Sequence, residues 1–278
     1  FIYEHIADFP IDIVLFYQCL DLDKVREKKL KRIGGSLYID GTMGARTAAL
    51  TFEYNDKPGE MGRLIFSQKE LNIFVEECYI NKLQLSLYTI GDRAIETALN
   101  AHEYALEKTG IKGLRHRMEH VELASLSQIK RAKNLGIIFS MNPTYERYWG
   151  GPNKMYSERL GKRYVETNKF REIIDSGLTL CGGSDSDVCD YNPFVGIHSA
   201  VNHPVKKHRI SLYEAIKMYT INGAYAIFEE NNKGSLEIGK LADIIILDRD
   251  IFEIDTESID EVKVLCTIKS GKILYNTI

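Results

Sequence analysis

Polar residues close a series of apolar runs in this 278-residue chain, and their types suit acid–base or metal chemistry. Asp40 ends SLYID (36–40), and Tyr88 ends LSLY (85–88) with Asp92 just beyond it. Glu119 and His120 lie in LRHRMEHVE (114–122), Asn142 and Thr144 close IIFSMNP (137–143), and Asp185 and Asp187 lie in LTLCGGSDSDV (178–188). An imidazole such as His120 beside a carboxylate such as Asp185 suits a divalent transition metal, and a metal-bound water needs a carboxylate to take its proton. Each residue also has a plainer use. Asp40 before Gly41 suits a turn, and Asp92 suits a helix cap. Glu119 and His120 suit a satisfied polar pair, and Asp185 suits turn chemistry. His198, His203 and His208 are not spaced as HxxxH and are read as surface or loop residues.

The elements that would position these groups alternate. IDIVLFYQ (11–18), SLYID, LSLY, 114–122, 137–143 and 178–188 are expected strands. Expected helices are 22–35, stopped by a double glycine, 67–82, opened by a Ser67/Glu70 capping box, 92–110, 125–136 and 166–177. A long helix is expected within 211–230, and TYERYWGGPNKMY (144–156) is expected to be an aromatic loop. Tyr145, Tyr148, Trp149 and Tyr156 in it would line an apolar pocket or pack as a lid. The alternation implies a parallel sheet with right-handed crossovers. Six strands fit an open doubly wound sheet, or a (β/α) barrel lacking two of its eight. Chemistry in either lies at the carboxyl ends of the strands. After residue 233 strands follow one another without helices, so the expected division is 1–232 and 233–278.

Bulk properties exclude several classes. Apolar residues make up 44%, enough for a large core. Net charge is −3, and the densest basic stretch, REKKLKR (26–32), falls on a helical pattern, so no nucleic-acid partner is expected. No apolar run reaches the ~18 residues of a membrane span, so no membrane partner is expected either. Five scattered cysteines without a CxxC predict reduced thiols and a cytoplasmic location.

Taken together, LYIDGTMGARTAAL (37–50), IGDRAIETALNA (90–101), RHRMEHVEL (115–123), GSDSDVCDYNPFVGIHSAV (183–201) and GSLEIGKLADIIILDRD (234–250) resemble the amidohydrolase superfamily. The branch they resemble is amidohydrolase family 3, which includes the N-substituted formamide deformylase-like enzymes. The resemblance implies a metal-dependent hydrolase on a (β/α)₈ TIM barrel with a small β-sandwich, acting on non-peptide C–N bonds of small molecules. It implies a divalent metal, zinc first. His120 matches the sixth-strand histidine ligand, and Asp185 matches the eighth-strand aspartate that acts as general base and ligand. The family pattern is broken elsewhere. Tyr88 stands where the fifth strand carries a histidine, Ser36 stands at a frequent lysine position, and no HxH occurs. A phenol with a pKa near 10 is a poorer zinc ligand than imidazole.

The expected fold is therefore an incomplete TIM barrel, about strands three to eight, with part of the sandwich at the C-terminus. Asp185 is the expected catalytic residue, and His120 with Asp185 the expected metal ligands. Tyr88, Asp40, Asn142 and Trp149 are the expected contacts to a small-molecule substrate. An exposed sheet edge near residues 11–18 would support a homo-oligomer. The alternative function is a truncated or degenerate homologue that binds a ligand or partner without hydrolysis.

Overall fold

The computed structural model describes residues 2–278. The first elements are α1 (Leu22–Glu27), β1 (Arg32–Tyr38), α2 (Gln68–Ile80), β2 (Gln84–Thr89), α3 (Asp92–Thr109), β3 (Arg117–His120), α4 (Leu126–Leu135) and β4 (Ile138–Met141). Three short helices, α5 (Thr144–Trp149), α6 (Met155–Leu160) and α7 (Phe170–Asp175), precede β5 (Leu180–Gly182). Then come α8 (Pro193–Val201), α9 (Leu212–Met218), α10 (Ile221–Ala226), β6 (Ile244–Leu247), β7 (Val264–Lys269) and β8 (Lys272–Asn276).

Strands β1 to β5 form one parallel sheet in sequence order, and β6 to β8 form a separate antiparallel sheet. Parallel neighbours joined through helices trace an arc of a TIM barrel, and the antiparallel sheet is the sandwich part. Along β2 and β3, successive side chains alternate between the two faces. Leu85, Leu87 and Met118 join the core with Ile95, Leu99 and Ile129 of the helix layer. Ser86, Arg117, Glu119 and Ser140 face the other way and line a cavity. The inner face of this arc is thus polar.

The capping box at Ser67 and the glycine stops at 110 and 136 are realised, and α4 adds a capping box that the sequence reading did not name. Ser67 and Glu70 cap α2 reciprocally, Ser125 and Gln128 do the same for α4, and Gly110 and Gly136 end α3 and α4 in the left-handed conformation. Asp92 is not a cap, however. Gly91 takes that position, and the Asp92 carboxylate accepts hydrogen bonds from the Thr51 backbone N–H and hydroxyl.

Four expected elements differ. The helix over 22–35 stops at Glu27, and the double glycine lies inside β1. Gly34 has φ 94°, and a Cβ there would stand 2.2 Å from the Ser86 carbonyl oxygen. The glycines therefore serve close approach of neighbouring chains, and the β1–β2 register shifts between Ile33 and Leu37. Residues 11–18 form no strand and make a single isolated bridge, Tyr17 to Ile33. Five strands result instead of six: residues 16–18 lie along β1, where the Gly34 N–H donates to the Tyr17 carbonyl at 3.0 Å, but they build no ladder. Phe16 lies under the Arg117 guanidinium at 4.9 Å, and Asp12 pairs with Lys233 and, at 2.8 Å, with Lys269. The aromatic stretch 144–156 is largely helical, in α5 and α6, and the long helix within 211–230 is broken into α9 and α10.

One buried carboxylate ties the barrel segments together. Asp40 is fully buried, so it is no substrate contact. It accepts backbone N–H groups from Ala49 at 2.8 Å, Ile90 at 3.1 Å and Gly91 at 2.8 Å. Burial pushes its pKa up to about 7, against the pull of those three donors. Asp40→Asn keeps the shape but turns an NH₂ group toward backbone donors. Each orphaned donor costs about 1–3 kcal/mol, so urea unfolding should show a loss of roughly 2–4 kcal/mol. An unchanged midpoint would refute this role.

Candidate active site

Strand β3 ends abnormally. His120 has φ 70° and Val121 φ 48°, a left-handed pair that is a real outlier for a β-branched residue. The Val121 N–H holds the kink by donating to the Thr89 carbonyl at 2.8 Å. Strain of this kind persists only where the surroundings impose it, and it clusters at functional sites. The kink departs from the alternation of β3 and brings His120 to the cavity that Glu119 also lines.

The cavity holds about 330 Å³ and is lined by Phe16, Ser86, Arg117, His120, Asn142 and Asp185 among others. Its floor is a charged layer. Arg117 donates to Glu119 at 2.8 Å and to the Ser140 hydroxyl at 3.0 Å, and Ser86 donates to Glu119 at 2.7 Å. Burial works against both charges, but Arg117 holds the Glu119 carboxyl below its ordinary range and Glu119 in turn holds Arg117 charged. Burial lowers the His120 pKa, opposed by Asp185 and Glu119.

Asp185 follows β5 in an exposed loop and accepts from the Tyr145 hydroxyl at 2.5 Å. Tyr145 also stacks near-parallel on His120, with ring centroids 6.0 Å apart. Tyr145 thus touches both expected metal ligands, although the sequence reading placed it only in an aromatic stretch.

The expected substrate contacts separate. Asn142 lines the cavity. Tyr88 does not; its ring packs edge-on to His120 at 4.3 Å and its hydroxyl donates to the Gly41 carbonyl at 3.3 Å. Trp149 packs on Tyr145 at 4.4 Å, away from the cavity lining. His203 and His208 are fully buried rather than at the surface. His203 Nε2 lies 3.6 Å from Glu146, and His208 bridges Glu172 and the Val165 carbonyl at 2.8 Å each. Their partners come from distant parts of the chain, so spacing gave no sign of them.

Two buried acids, Glu122 and Glu146, were missed by sequence reasoning. Burial pushes Glu122 up to about 8, with the Tyr156 hydroxyl beside it opposing and Glu146 adding to the rise. Glu146 accepts from Thr167 at 2.8 Å and Asn168 at 2.7 Å; burial would raise its pKa, but His203 and these donors hold it low.

A divalent metal finds two suitable donors here, His120 and Asp185. A catalytic zinc takes about three protein ligands, and among the described residues no three His, Cys, Asp or Glu side chains gather to hold a metal. The residues present therefore do not complete a metal centre.

A model of the amidohydrolase family matches residues 18–275. The chain belongs to the amidohydrolase family, in the branch called family 3. It is 28% identical to the putative amidohydrolase YtcJ of Bacillus subtilis (strain 168) over 287 residues, covering 96% of this chain and 52% of that protein. It is 28% identical to the N-substituted formamide deformylase of Arthrobacter pascens, covering 87% of this chain and 46% of that one. Among solved structures, an uncharacterized metal-dependent hydrolase from Pyrococcus furiosus superposes with a TM-score of 0.74 at 29% identity, over 90% of this chain and 53% of that chain. The chain thus spans about half the length of the relatives it matches. Among the described residues no helix is long and apolar enough to cross a membrane.

Two outcomes follow from this amidohydrolase geometry. Glu122 keeps in the fold a proton that the unfolded chain loses above about 4.5, so its stabilisation is full below that value and disappears as pH rises through about 8. Buried His102, lowered to about 3 by burial, acts oppositely, but its gain is complete by its unfolded value of 6.5. Stability should therefore fall between pH 6.5 and 8, and Glu122→Gln should remove roughly 1–3 kcal/mol of that fall in urea titrations. An identical slope in the variant would count against a buried, protonated Glu122. Separately, Tyr88→His sets a second imidazole beside His120. Zinc affinity should rise by more than about tenfold, the size of effect seen for groups around a metal ligand. Calorimetric titration of both proteins checks this, and equal affinities would leave Tyr88 as packing alone.

Proposed function

We propose that this chain forms part of the active site of a metal-dependent hydrolase that cleaves a non-peptide C–N bond in a small molecule. The observation that carries the reading is the gathering of His120 and Asp185 on one polar cavity at the carboxyl ends of β3 and β5, in a chain of the amidohydrolase family. The metal-dependent hydrolase title of the Pyrococcus furiosus neighbour and the deformylase activity of the Arthrobacter pascens relative support it. The cavity lies at the small end of the range for ligand sites, about 300–1,000 Å³.

Asp185 is the proton carrier in this reading. Its carboxylate is exposed, and one oxygen accepts from Tyr145. As water attacks the substrate carbonyl carbon, Asp185 takes its proton; as the C–N bond breaks, Asp185 returns the proton to the leaving nitrogen. The polar floor of Arg117, Glu119 and the serines orients a polar substrate. A divalent metal, zinc first, is the group the family relation implies. Among the described residues only two suitable donors for it, His120 and Asp185, line this cavity, Glu119 being paired with Arg117.

The test is hydrolysis of a panel of N-substituted formamides and small cyclic amides with zinc added. It should be run on the chain itself and on the product of its full reading frame. Asp185→Asn should lower kcat/KM by about 10²–10⁴, the usual contribution of general acid–base catalysis. Binding of these amides without hydrolysis in either protein, or full activity in Asp185→Asn, would overturn the reading.

A further inference from the structure

We propose that residues 13–16 form a movable wall of the polar cavity, latched through Asp12, and that Val14 and Phe16 on it decide the width of ligand the cavity admits. Among the residues that line the cavity only Val14 and Phe16 carry hydrophobic side chains; the rest are glycine, serine, asparagine or ionisable. The two stand two apart, the spacing that puts side chains on one face of an extended chain. A ligand with an apolar part therefore packs that part against them. Arg117 offers no competing anchor for an acid, because its guanidinium is committed to Glu119 and Ser140 and lies 4.9 Å from the centre of the Phe16 ring.

The segment is fixed at its ends and loose between them. At one end the Tyr17 carbonyl accepts from the Gly34 N–H at 3.0 Å, and the Gln18 amide donates to the Ser36 carbonyl at 3.2 Å. Gly35 lets the chains pass there, since a Cβ on it would stand 2.3 Å from the Phe16 carbonyl oxygen. At the other end the Asp12 carboxylate bridges Lys233 and Lys269. Between these anchors, residues 13–16 make no backbone–backbone hydrogen bond among the described residues. A segment so sparsely bonded opens at low cost. A second cavity, of about 560 Å³, borders the same segment, and Asp12, Ile13 and Val14 line it together with Ile227, Asn232 and Leu241. Val14 borders both cavities, so the wall has open space to move into. The Asp12 side chain is half-exposed, and salt screens its pairing with the lysines, which makes this latch the weaker end.

The inference rests on the hydrolase reading only for what the wall selects, the apolar substituent of a substrate. Its movement is measurable without any substrate, so failure of the hydrolase reading leaves the test intact. Ser140 lines the cavity, and Ser140→Cys reports access to it. The thiol is labelled with a small neutral reagent, methyl methanethiosulfonate, and with a bulky neutral one, pyrenyl maleimide, and the rates are read by peptide mass spectrometry. Cys78, fully buried in the core, reports global opening in the same samples. Adding Asp12→Asn, or raising salt to about 0.5 M, should speed the bulky reagent by about threefold, the size of effect a surface ion pair supplies. The small reagent and Cys78 should stay unchanged, and salt should do nothing more once Asp12→Asn is present. Phe16→Ala should also speed the bulky reagent alone. Should Ser140→Cys fail to fold, Ser36→Cys on the same cavity carries the same measurement. Equal gains for both reagents, a parallel rise at Cys78, or an unchanged bulky-reagent rate in Asp12→Asn or Phe16→Ala would overturn the proposal.

Discussion

The Asp40 carboxylate is the interaction on which the upper end of the barrel arc depends. Its three backbone donors come from two places: Ala49 in the long loop after β1, and Ile90 and Gly91 at the turn from β2 into α3. Other bonds lace the same two segments. Ile39 N–H donates to the Tyr88 carbonyl at 3.0 Å, Arg93 N–H to the Ala49 carbonyl at 3.0 Å, and Thr51 to the Asp92 carboxylate. Gly91 is required because a Cβ there would stand 2.0 Å from the Ala49 oxygen. This lacing fixes Gly41, whose carbonyl holds the Tyr88 hydroxyl, and so fixes the ring on which His120 rests. A buried carboxylate nine residues from the loop it closes therefore sets the position of a side chain two strands away.

Burying so much charge is costly, and the structure shows how the cost is contained. A buried pair gains only when geometry is good and the remaining lone pairs are met. Glu119 meets this condition, with Arg117 on one oxygen and Ser86 on the other. Glu146 meets it in part: one oxygen collects Thr167 and Asn168, and the other has no partner. Glu122 has an unpartnered oxygen too and no cation in contact, so it takes the other route and keeps its proton. Three buried acids thus adopt two protonation states, and the difference follows from whether a basic side chain, Arg117 or His203, faces them.

The βα alternation, the capping box of α2 and the strand-end placement of His120 and Asp185 were legible in the sequence, because each is a local pattern. It misled where a local signal had a distant cause. The double glycine at 34–35 looks like a helix stop, yet its reason is the Ser86 carbonyl 52 residues on from Gly34, against which a Cβ would collide. The apolar run 11–18 looks like a strand, but Phe16 is drawn over the Arg117 guanidinium and Asp12 toward Lys269. His203 and His208 looked like surface or loop residues because they are not spaced as HxxxH, and their partners Glu146 and Glu172 lie far upstream. The alternation of Arg117 and Glu119 along β3 was visible as polar interruptions, and it was the available signal for a polar inner face.

Polarity at a strand end does not by itself mark a working residue in this fold; unspent hydrogen-bonding capacity does. Asp40 uses both oxygens on backbone donors and sits out of reach of solvent. Asp92 uses both on Thr51. Tyr88 gives its hydroxyl to Gly41 and its ring to packing. His120 and Asp185 are different. Each has a left-handed backbone, and each lines the cavity. Asp185 spends one oxygen on Tyr145, and His120 Nδ1 is buried without a partner. Asn142, which lines the same cavity, and Tyr145, which contacts both, come from one short stretch running from the end of β4 into α5. That stretch lies between the two strands whose ends carry the pair, so the order of strands in the barrel determines which segment can support both.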